Sequence, residues 1–292
     1  MKRLVVMFLS FSVLCAMPLS WPASASDHDD TPLLRMLNRH DARLTDLHAF
    51  VREENLVISL CSDPTIPPSA ASYRFPSDVT FDIHVDYDSE VSPEDPDLLG
   101  GTILNPAGIR EDITYRIRFN PDQSASIEYR RSDGQYDGIW LTGFYAGLRD
   151  DPFIRGPRIG RNIAAIVIQV PLASVLKNQS TILIWATSKV ETIEGPFHDL
   201  AGRSLRSQEP EFLALNTLHP SEHLARTGLK PDVMIYDTSK PAAFPNGRAL
   251  TDDVVDLTAV PRIVASDAPF PSANDLPFLE TFPYLAPPHP PR

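Results

Sequence analysis

Two apolar segments in the middle of the chain decide the fold class. Residues Ala164–Val170 read AAIVIQV, and residues Thr181–Ala186 read TILIWA. Each is a near-continuous run of apolar residues that has the length of a strand and is too short to span a bilayer. Runs of this kind belong to strands that are covered on both faces, so we expect both segments to lie centrally in their sheets.

Segments on either side of these two predict further strands. Val79–Asp86 and Ile113–Phe119 alternate apolar and polar residues, as half-buried strands do. Asn55–Cys61 and Val254–Val260 are two more strand candidates. Helical signals are few and short, at residues 31–37, 171–176 and 211–218. The pattern predicts a mostly β protein, with an antiparallel β-sandwich or jelly-roll-like fold, few short helices and long Pro-rich loops.

The start of the chain has the layout of a secretory signal peptide over residues 1–25. Lys2 and Arg3 precede an apolar run, Leu4–Met17, and Ala23–Ala25 supplies the small residues that a signal peptidase needs. We expect cleavage near Ala25 and a periplasmic or secreted mature protein that does not insert into the membrane afterwards. An uncleaved anchor is the alternative.

The rest of the chain divides by composition into two parts. Residues 26–260 are expected to form a single β-rich domain. Residues 261–292 are rich in proline and form a C-terminal tail that either runs extended over the surface or hangs free.

Charge and chemistry-bearing motifs narrow the function classes. The formal net charge is −12, which disfavours nucleic acid and anionic membrane surfaces as partners. After cleavage Cys61 is the one remaining cysteine, so no internal disulfide is possible and we expect a buried, inert thiol. The chain has no Gly-x-Ser-x-Gly elbow, phosphate-binding glycine loop or dinucleotide fingerprint, which favours a binding protein over an enzyme.

Acidic pairs supply the candidate metal ligands, because adjacent carboxylates repel each other and are stabilised by a cation, an arginine or backbone N–H groups. The candidate ligands for a divalent cation such as calcium are Asp150, Asp151, Asp252, Asp253, His28 and Asp46. Structural ion-pair turns are the alternative interpretation of both pairs. Asp86, Asp88 and Glu90 have the alternate spacing of some calcium loops but lack the central glycine, which favours a solvated turn.

The segment 244–256 is the most interpretable loop. Pro245-Asn246-Gly247 predicts a turn, because Asn and Gly tolerate positive φ. Arg248 follows it and is expected to form a structural ion pair with Asp252, Asp253 or Asp150. The functional alternative is a ligand or cation held at the sheet edge. Four aromatic residues in a Gly-punctuated stretch form either a ligand platform or part of the core: Tyr136, Trp140, Phe144 and Tyr145.

Several stretches together resemble the bacterial family called domain of unknown function 4331. The matching stretches, which run in order along the chain, are His28-Asp29 with Pro32, Thr45–Phe50, Val85–Asp88, Glu111–Phe119, Arg149–Phe153, Phe244–Asp256 and Phe282–His289. His48 departs from the family pattern, which has Tyr there, and so does the acidic turn after Asp86. The resemblance implies an exported β-rich protein without an established activity.

Three functions remain open from the sequence. The first is an exported, non-catalytic β-sandwich protein that binds a small ligand, a cation or a protein partner. The second is a metal-assisted hydrolase that uses acidic residues with His28 or His48. The third is a haem or redox accessory module, for which His84, His198 and Met234 are the candidate axial ligands.

Overall fold

The computed structural model describes residue 28 and residues 31–134, 140–154, 159–205, 210–257 and 271–292. The expected signal peptide, Tyr136 and residues 258–270 lie outside this part of the chain. Within it, no helix has the length and apolar character needed to cross a bilayer.

The described part of the chain is mostly antiparallel β structure with a few short helices. The strands are β1 (Leu44–Arg52), β2 (Asn55–Ser62), β3 (Val79–Asp86), β4 (Val91–Ser92), β5 (Thr102–Ile103), β6 (Ile113–Phe119), β7 (Ala125–Arg131), β8 (Gly143–Asp150), β9 (Asn162–Pro171), β10 (Thr181–Val190), β11 (Asp199–Ala201) and β12 (Met234–Asp237). The α-helices are α1 (Pro32–Met36), α2 (Leu172–Val175), α3 (Pro220–Thr227) and α4 (Val254–Leu257). Short 3-10 helices cover His40–Ala42, Pro106–Gly108 and Pro210–Thr217.

Two antiparallel sheets form a sandwich, which confirms the predicted fold class. The strand order is β1-β2-β9-β8 in one sheet and β11-β10-β3-β6-β7 in the other, with β12 also paired to β10. β9 and β10 carry the two apolar runs, and each lies between neighbouring strands. Their central position is therefore confirmed.

The main core lies between the two sheets. Alternate residues of β2 and β9, such as Ile58 and Ile168, point into it and meet Ile83 of β3 and Ile184 of β10. Burial of such side chains is worth about 1.5–3 kcal/mol each. The residues between them point to the other faces of the sheets and are also covered, which explains why these runs are apolar without interruption.

Residues 271–292, here called the C-terminal segment, cover the outer face of the four-stranded sheet. Leu285 is fully buried against outward-facing side chains of β2 and β9, namely Val57 and Val167. Cys61 lies in the same layer with its side chain fully buried. The described part of the Pro-rich tail is thus packed onto the sandwich.

One predicted strand is wrong. Val254–Leu257 forms the short helix α4, whereas residues 258–260 lie outside the described part of the chain. Val254 and Val255 are buried in a small cluster with Phe153 and Leu205. A run of a few apolar residues fits one turn of buried helix as well as it fits a strand, and this tertiary contact decides between them.

Candidate metal centre

Three side chains that are far apart in sequence meet at one end of the four-stranded sheet. Asp150 is the last residue of β8 and is paired with Asn162 of β9. Asp275 and His289 belong to the C-terminal segment. One potential ligand atom of each residue lies within 4.8 Å of the others.

Backbone contacts fix the position of His289. Its N–H donates to Asn162 Oδ1 at 2.8 Å, and Asn162 Nδ2 donates to the His289 carbonyl oxygen at 3.0 Å. The Asp150 N–H donates to the Ala286 carbonyl at 3.4 Å. These bonds align the C-terminal segment with the sheet end, so the imidazole is held beside Asp150 by main-chain contacts rather than by its own ring.

The geometry of the imidazole fits a shared cation. His289 Nε2 is 2.9 Å from Asp150 Oδ1 and 3.2 Å from Asp275 Oδ2. Neither oxygen lies where the ring N–H would donate to it, and within the described residues Nε2 and Asp150 Oδ1 have no hydrogen-bond partner. Ligand atoms held at about 2.0–2.2 Å from one ion are themselves about 3 Å apart. The three atoms therefore lie close enough to one another to share one ion.

The Asp150 carboxylate is buried, so its negative charge needs a positive charge nearby. Its side chain is 1% exposed. Burial raises the pKa of Asp150 to about 7, the Asp275 carboxylate adds to this shift, and the Asn274 and His289 contacts oppose it. Asn274 Nδ2 donates to Asp150 Oδ2 at 2.6 Å, which leaves Oδ1 facing His289. A cation at this point would offset the cost of burying the ionised carboxylate.

Asp275 forms the outer wall of the group. Its Oδ2 accepts a hydrogen bond from the Gly160 N–H at 2.6 Å, and its side chain is 20% exposed. This opening leaves room for a water as a further ligand, as in metal sites with three protein ligands. A nitrogen ligand fits zinc and related transition metals better than calcium, which prefers six to eight oxygens. The group therefore fits a different ion from the calcium named as an example above.

The other predicted acidic ligands have structural contacts elsewhere. Asp151 Oδ1 accepts from the Phe153 N–H at 3.1 Å. Asp252 Oδ2 accepts from the N–H groups of Phe244 and Ala249, at 2.9 and 2.8 Å, and so fastens the 244–252 loop. Asp253 Oδ1 accepts from the N–H of Asp256, within α4, at 3.3 Å. Only Asp150 of the six predicted ligands belongs to a potential metal-ligand group within the described residues.

Asp46 lies in a buried ion pair with Arg248. Both side chains are 0% exposed, and Arg248 Nη2 and Nη1 lie 3.3 and 3.4 Å from Asp46 Oδ1. Ala49 of β1 and Arg248 also exchange both backbone hydrogen bonds, at 3.1 and 3.0 Å. The acidic partner that the structure places against Arg248 is thus Asp46 rather than one of the three carboxylates expected from the sequence. Gly247 has φ +67°, which agrees with the predicted turn.

The two histidines proposed for hydrolysis lie in separate buried settings. His28 Nε2 is 2.9 Å from Asp199 Oδ1, and Thr31 donates to the same oxygen at 2.7 Å. His48 is fully buried, and burial together with Arg248 holds its pKa well below the usual range. Neither is part of a metal-ligand group among the described residues.

A second acidic group, at the end of β3, is already held by an arginine and by backbone N–H groups. Asp86, Asp88 and Asp112 lie within ligand distance of one another, but Arg110 forms ion pairs with Asp88 and Asp112. Asp86 accepts from the backbone N–H groups of Asp88, Ser89 and Arg110. Asp86 and Asp112 are 0% exposed, so this is a buried, hydrogen-bonded group rather than the solvated turn expected there. It serves as a control for the metal centre.

The candidate haem ligands are engaged in the fold. His84 Nδ1 and Nε2 lie 3.1 and 3.0 Å from the hydroxyls of Thr114 and Thr187. His198 Nδ1 accepts from the Val190 N–H at 3.0 Å. Met234 is 3% exposed and belongs to the main core.

His84 makes a testable contribution to acid stability. Burial lowers its pKa from the ordinary 6.5 to about 4. His84 takes up a proton near pH 6.5 in the unfolded chain but only near pH 4 in the folded protein. The folded state therefore keeps its full stability above pH 6.5 and loses stability relative to the unfolded state as the pH falls towards 4. Between pH 7 and 4 the unfolding free energy of the wild type should fall by about 3 kcal/mol more than that of His84→Gln in urea titrations. Asp150 titrates in both proteins and cancels in this difference, so parallel curves would contradict the assignment.

Three of the four aromatic residues predicted to form a ligand platform or part of the core lie in the described part of the chain, namely Trp140, Phe144 and Tyr145. Trp140 stacks on Tyr129 with ring centroids 5.8 Å apart and packs against the main core, as does Phe144. The hydroxyl of Tyr145 donates to the Leu148 carbonyl at 3.0 Å. These contacts are those of packed side chains.

Searches of protein-family models, curated proteins and solved structures found no match to this chain. The resemblance to the domain of unknown function 4331 family stays a prediction from the sequence.

Proposed function

We propose that the chain is an exported, non-catalytic β-sandwich protein that binds one divalent transition-metal ion through Asp150, Asp275 and His289. The observation that carries this proposal is that the three ligand atoms lie within 4.8 Å of one another, with His289 Nε2 aligned to neither carboxylate. The ion would fasten the C-terminal segment to β8. The N-terminal sequence pattern supports export to the periplasm or the exterior.

The ligand set of this site defines the kind of ion that it can bind. One imidazole and two carboxylates are ligands that zinc accepts. Two of the three come from the C-terminal segment, so binding of the ion is coupled to docking of that segment. A structural role follows from this coupling.

Zinc titration of the purified, metal-free protein tests the proposal. We expect about one zinc per chain after gel filtration and elemental analysis, with calcium absent under the same conditions. Asp150→Asn and His289→Gln should each weaken zinc binding by at least a hundredfold, since loss of outer-shell partners alone costs about 10–100-fold.

Asp88→Asn is the matched control for these variants. It removes a carboxylate from the second acidic group, where Arg110 pairs with Asp88 and Asp112. Zinc binding should remain at the wild-type level in this variant. Unchanged zinc content in both Asp150→Asn and His289→Gln would overturn the proposed site.

A metal-assisted hydrolase is the second candidate, because three protein ligands and a solvent-facing side are also found in catalytic zinc sites. The observation that favours it is the partial exposure of Asp275. The two candidates predict different rates for hydrolysis of p-nitrophenyl acetate and p-nitrophenyl phosphate by the zinc-loaded protein. A non-catalytic site should give the rate of the Asp150→Asn variant, whereas a hydrolase should exceed it by orders of magnitude.

A further inference from the structure

A cleft separates the C-terminal segment from the edge of the sandwich. Its walls come from the end of β1, from β12 and the loop after it, from the 249–251 turn, and from the C-terminal segment itself. Its volume is about 400 Å³, which is the size of small-molecule sites. None of the three proposed metal ligands lines it, so this cleft and the metal centre are separate sites.

The charge of the cleft is opposite to that of the protein. Its lining includes two basic side chains, Arg52 and Lys240, and no carboxylate. Lys240 is paired with Asp237 at 2.9 Å. Within the described residues Arg52 has no ion pair, and its guanidinium lies 5.3 Å from the centre of the Phe50 ring. In a chain of net charge −12, an unpaired arginine beside a cleft favours an anionic ligand.

The body of the cleft is aromatic. Phe50, Tyr236, Phe278 and Tyr284 all line it. Phe50 and Tyr236 are buried, at 4% and 0% exposed, whereas Phe278 and Tyr284 are half-buried and keep ring surface open to the cleft. Phe50 and Tyr284 meet edge to face, with ring centroids 5.8 Å apart. Ring edges and faces of this kind pack well against a planar aromatic ligand, whereas they give an alkyl chain no comparable preference.

We propose that this cleft binds a small aromatic carboxylate, with its ring against Phe278 and Tyr284 and its carboxylate on Arg52. The guanidinium presents parallel N–H donors that match a carboxylate, and its position over Phe50 keeps it close to the ring pocket. Lys240 adds a second positive charge at the rim, where its side chain is 66% exposed.

The test compares 2-naphthoate with its neutral analogue 2-naphthamide by isothermal titration calorimetry. Naphthoate should bind at least tenfold more tightly, because a charge-assisted bond to Arg52 is lost in the amide. Amide chemical shifts should change around residues 50–52, 238–242 and 278–284. Octanoate, an anion without a ring, should bind more weakly than naphthoate.

Arg52→Gln should abolish the preference for naphthoate over naphthamide. Arg226→Gln is the matched control, since Arg226 is an exposed arginine on α3 and does not line the cleft. Equal affinity for the three probes, absence of naphthoate binding, or an unchanged preference in Arg52→Gln would overturn the proposal. Arg52 lies outside the metal centre, so the Arg52→Gln result is independent of zinc binding by Asp150 and His289.

Discussion

Arg248→Ala should lower the free energy of unfolding by about 3–5 kcal/mol, because it leaves a fully buried carboxylate without its counter-charge. Arg248 and Asp46 are both 0% exposed and form an ion pair at 3.3 Å. Their pairing joins β1 to the 244–252 loop, which in turn lies against the C-terminal segment through Leu250. Urea-induced unfolding followed by far-UV circular dichroism measures the loss directly.

A double-mutant cycle separates the ion pair from the packing of the long arginine side chain. Asp46→Ala and the double variant Asp46→Ala with Arg248→Ala complete the cycle. The double variant should be more stable than the sum of the single losses predicts, by about 2 kcal/mol or more. Additive losses would show that Arg248 stabilises the fold through contacts other than Asp46.

Saturating zinc should stabilise the metal-free protein by about 4 kcal/mol when its free concentration is a thousand times the dissociation constant. For a domain of this size that corresponds to a rise in Tm of about 10 °C. The physical reason is that Asp275 and His289 lie on the C-terminal segment, whereas Asp150 lies on β8. Differential scanning calorimetry with zinc and then with excess chelator measures the shift and its reversal.

Hydrogen exchange locates the same effect in the chain. Zinc should slow exchange most in residues 271–292 and at the end of β8, and chelator should reverse the protection. The zinc effect should vanish in Asp150→Asn and persist in Asp88→Asn. Equal stabilisation of Asp150→Asn and the wild type would place the ion elsewhere.

The strands that the sequence predicted are those whose side-chain pattern records their burial. β6 alternates because one face packs on the core, and β9 and β10 are continuously apolar because both faces are covered. β3 alternates although all of its residues are buried, because the polar side chains of its second face pair with one another, as His84 does with Thr114 and Thr187. β7 was missed, since as an edge strand it reads ASIEYRR and is only partly buried. The order of strands across the two sheets is tertiary information that no local pattern contains.

The candidate metal centre was predicted only in part, because two of its three ligands reach the site through tertiary contacts. Asp150 stood out because it is half of an acidic pair. His289 entered only as the last residue of a stretch that carries the family resemblance, and Asp275 had no distinguishing signal. Their approach to Asp150 depends on how the C-terminal segment docks, through the Asn162 bonds to His289 and the burial of Leu285.

The metal centre and the aromatic cleft share one structural element. Phe278 and Tyr284, which line the cleft, lie in sequence between Asp275 and His289. A bound ion would hold both ends of this stretch, so it would also order one wall of the cleft. The docked C-terminal segment is therefore the element on which both proposals depend.

The most direct test of the metal centre is an anomalous difference map, measured at the zinc absorption edge from crystals of the zinc-loaded protein. We predict one strong peak about 2.0–2.2 Å from Asp150 Oδ1, Asp275 Oδ2 and His289 Nε2. A map with no peak between these three atoms, or with its peak at Asp86, Asp88 and Asp112 instead, would contradict the account.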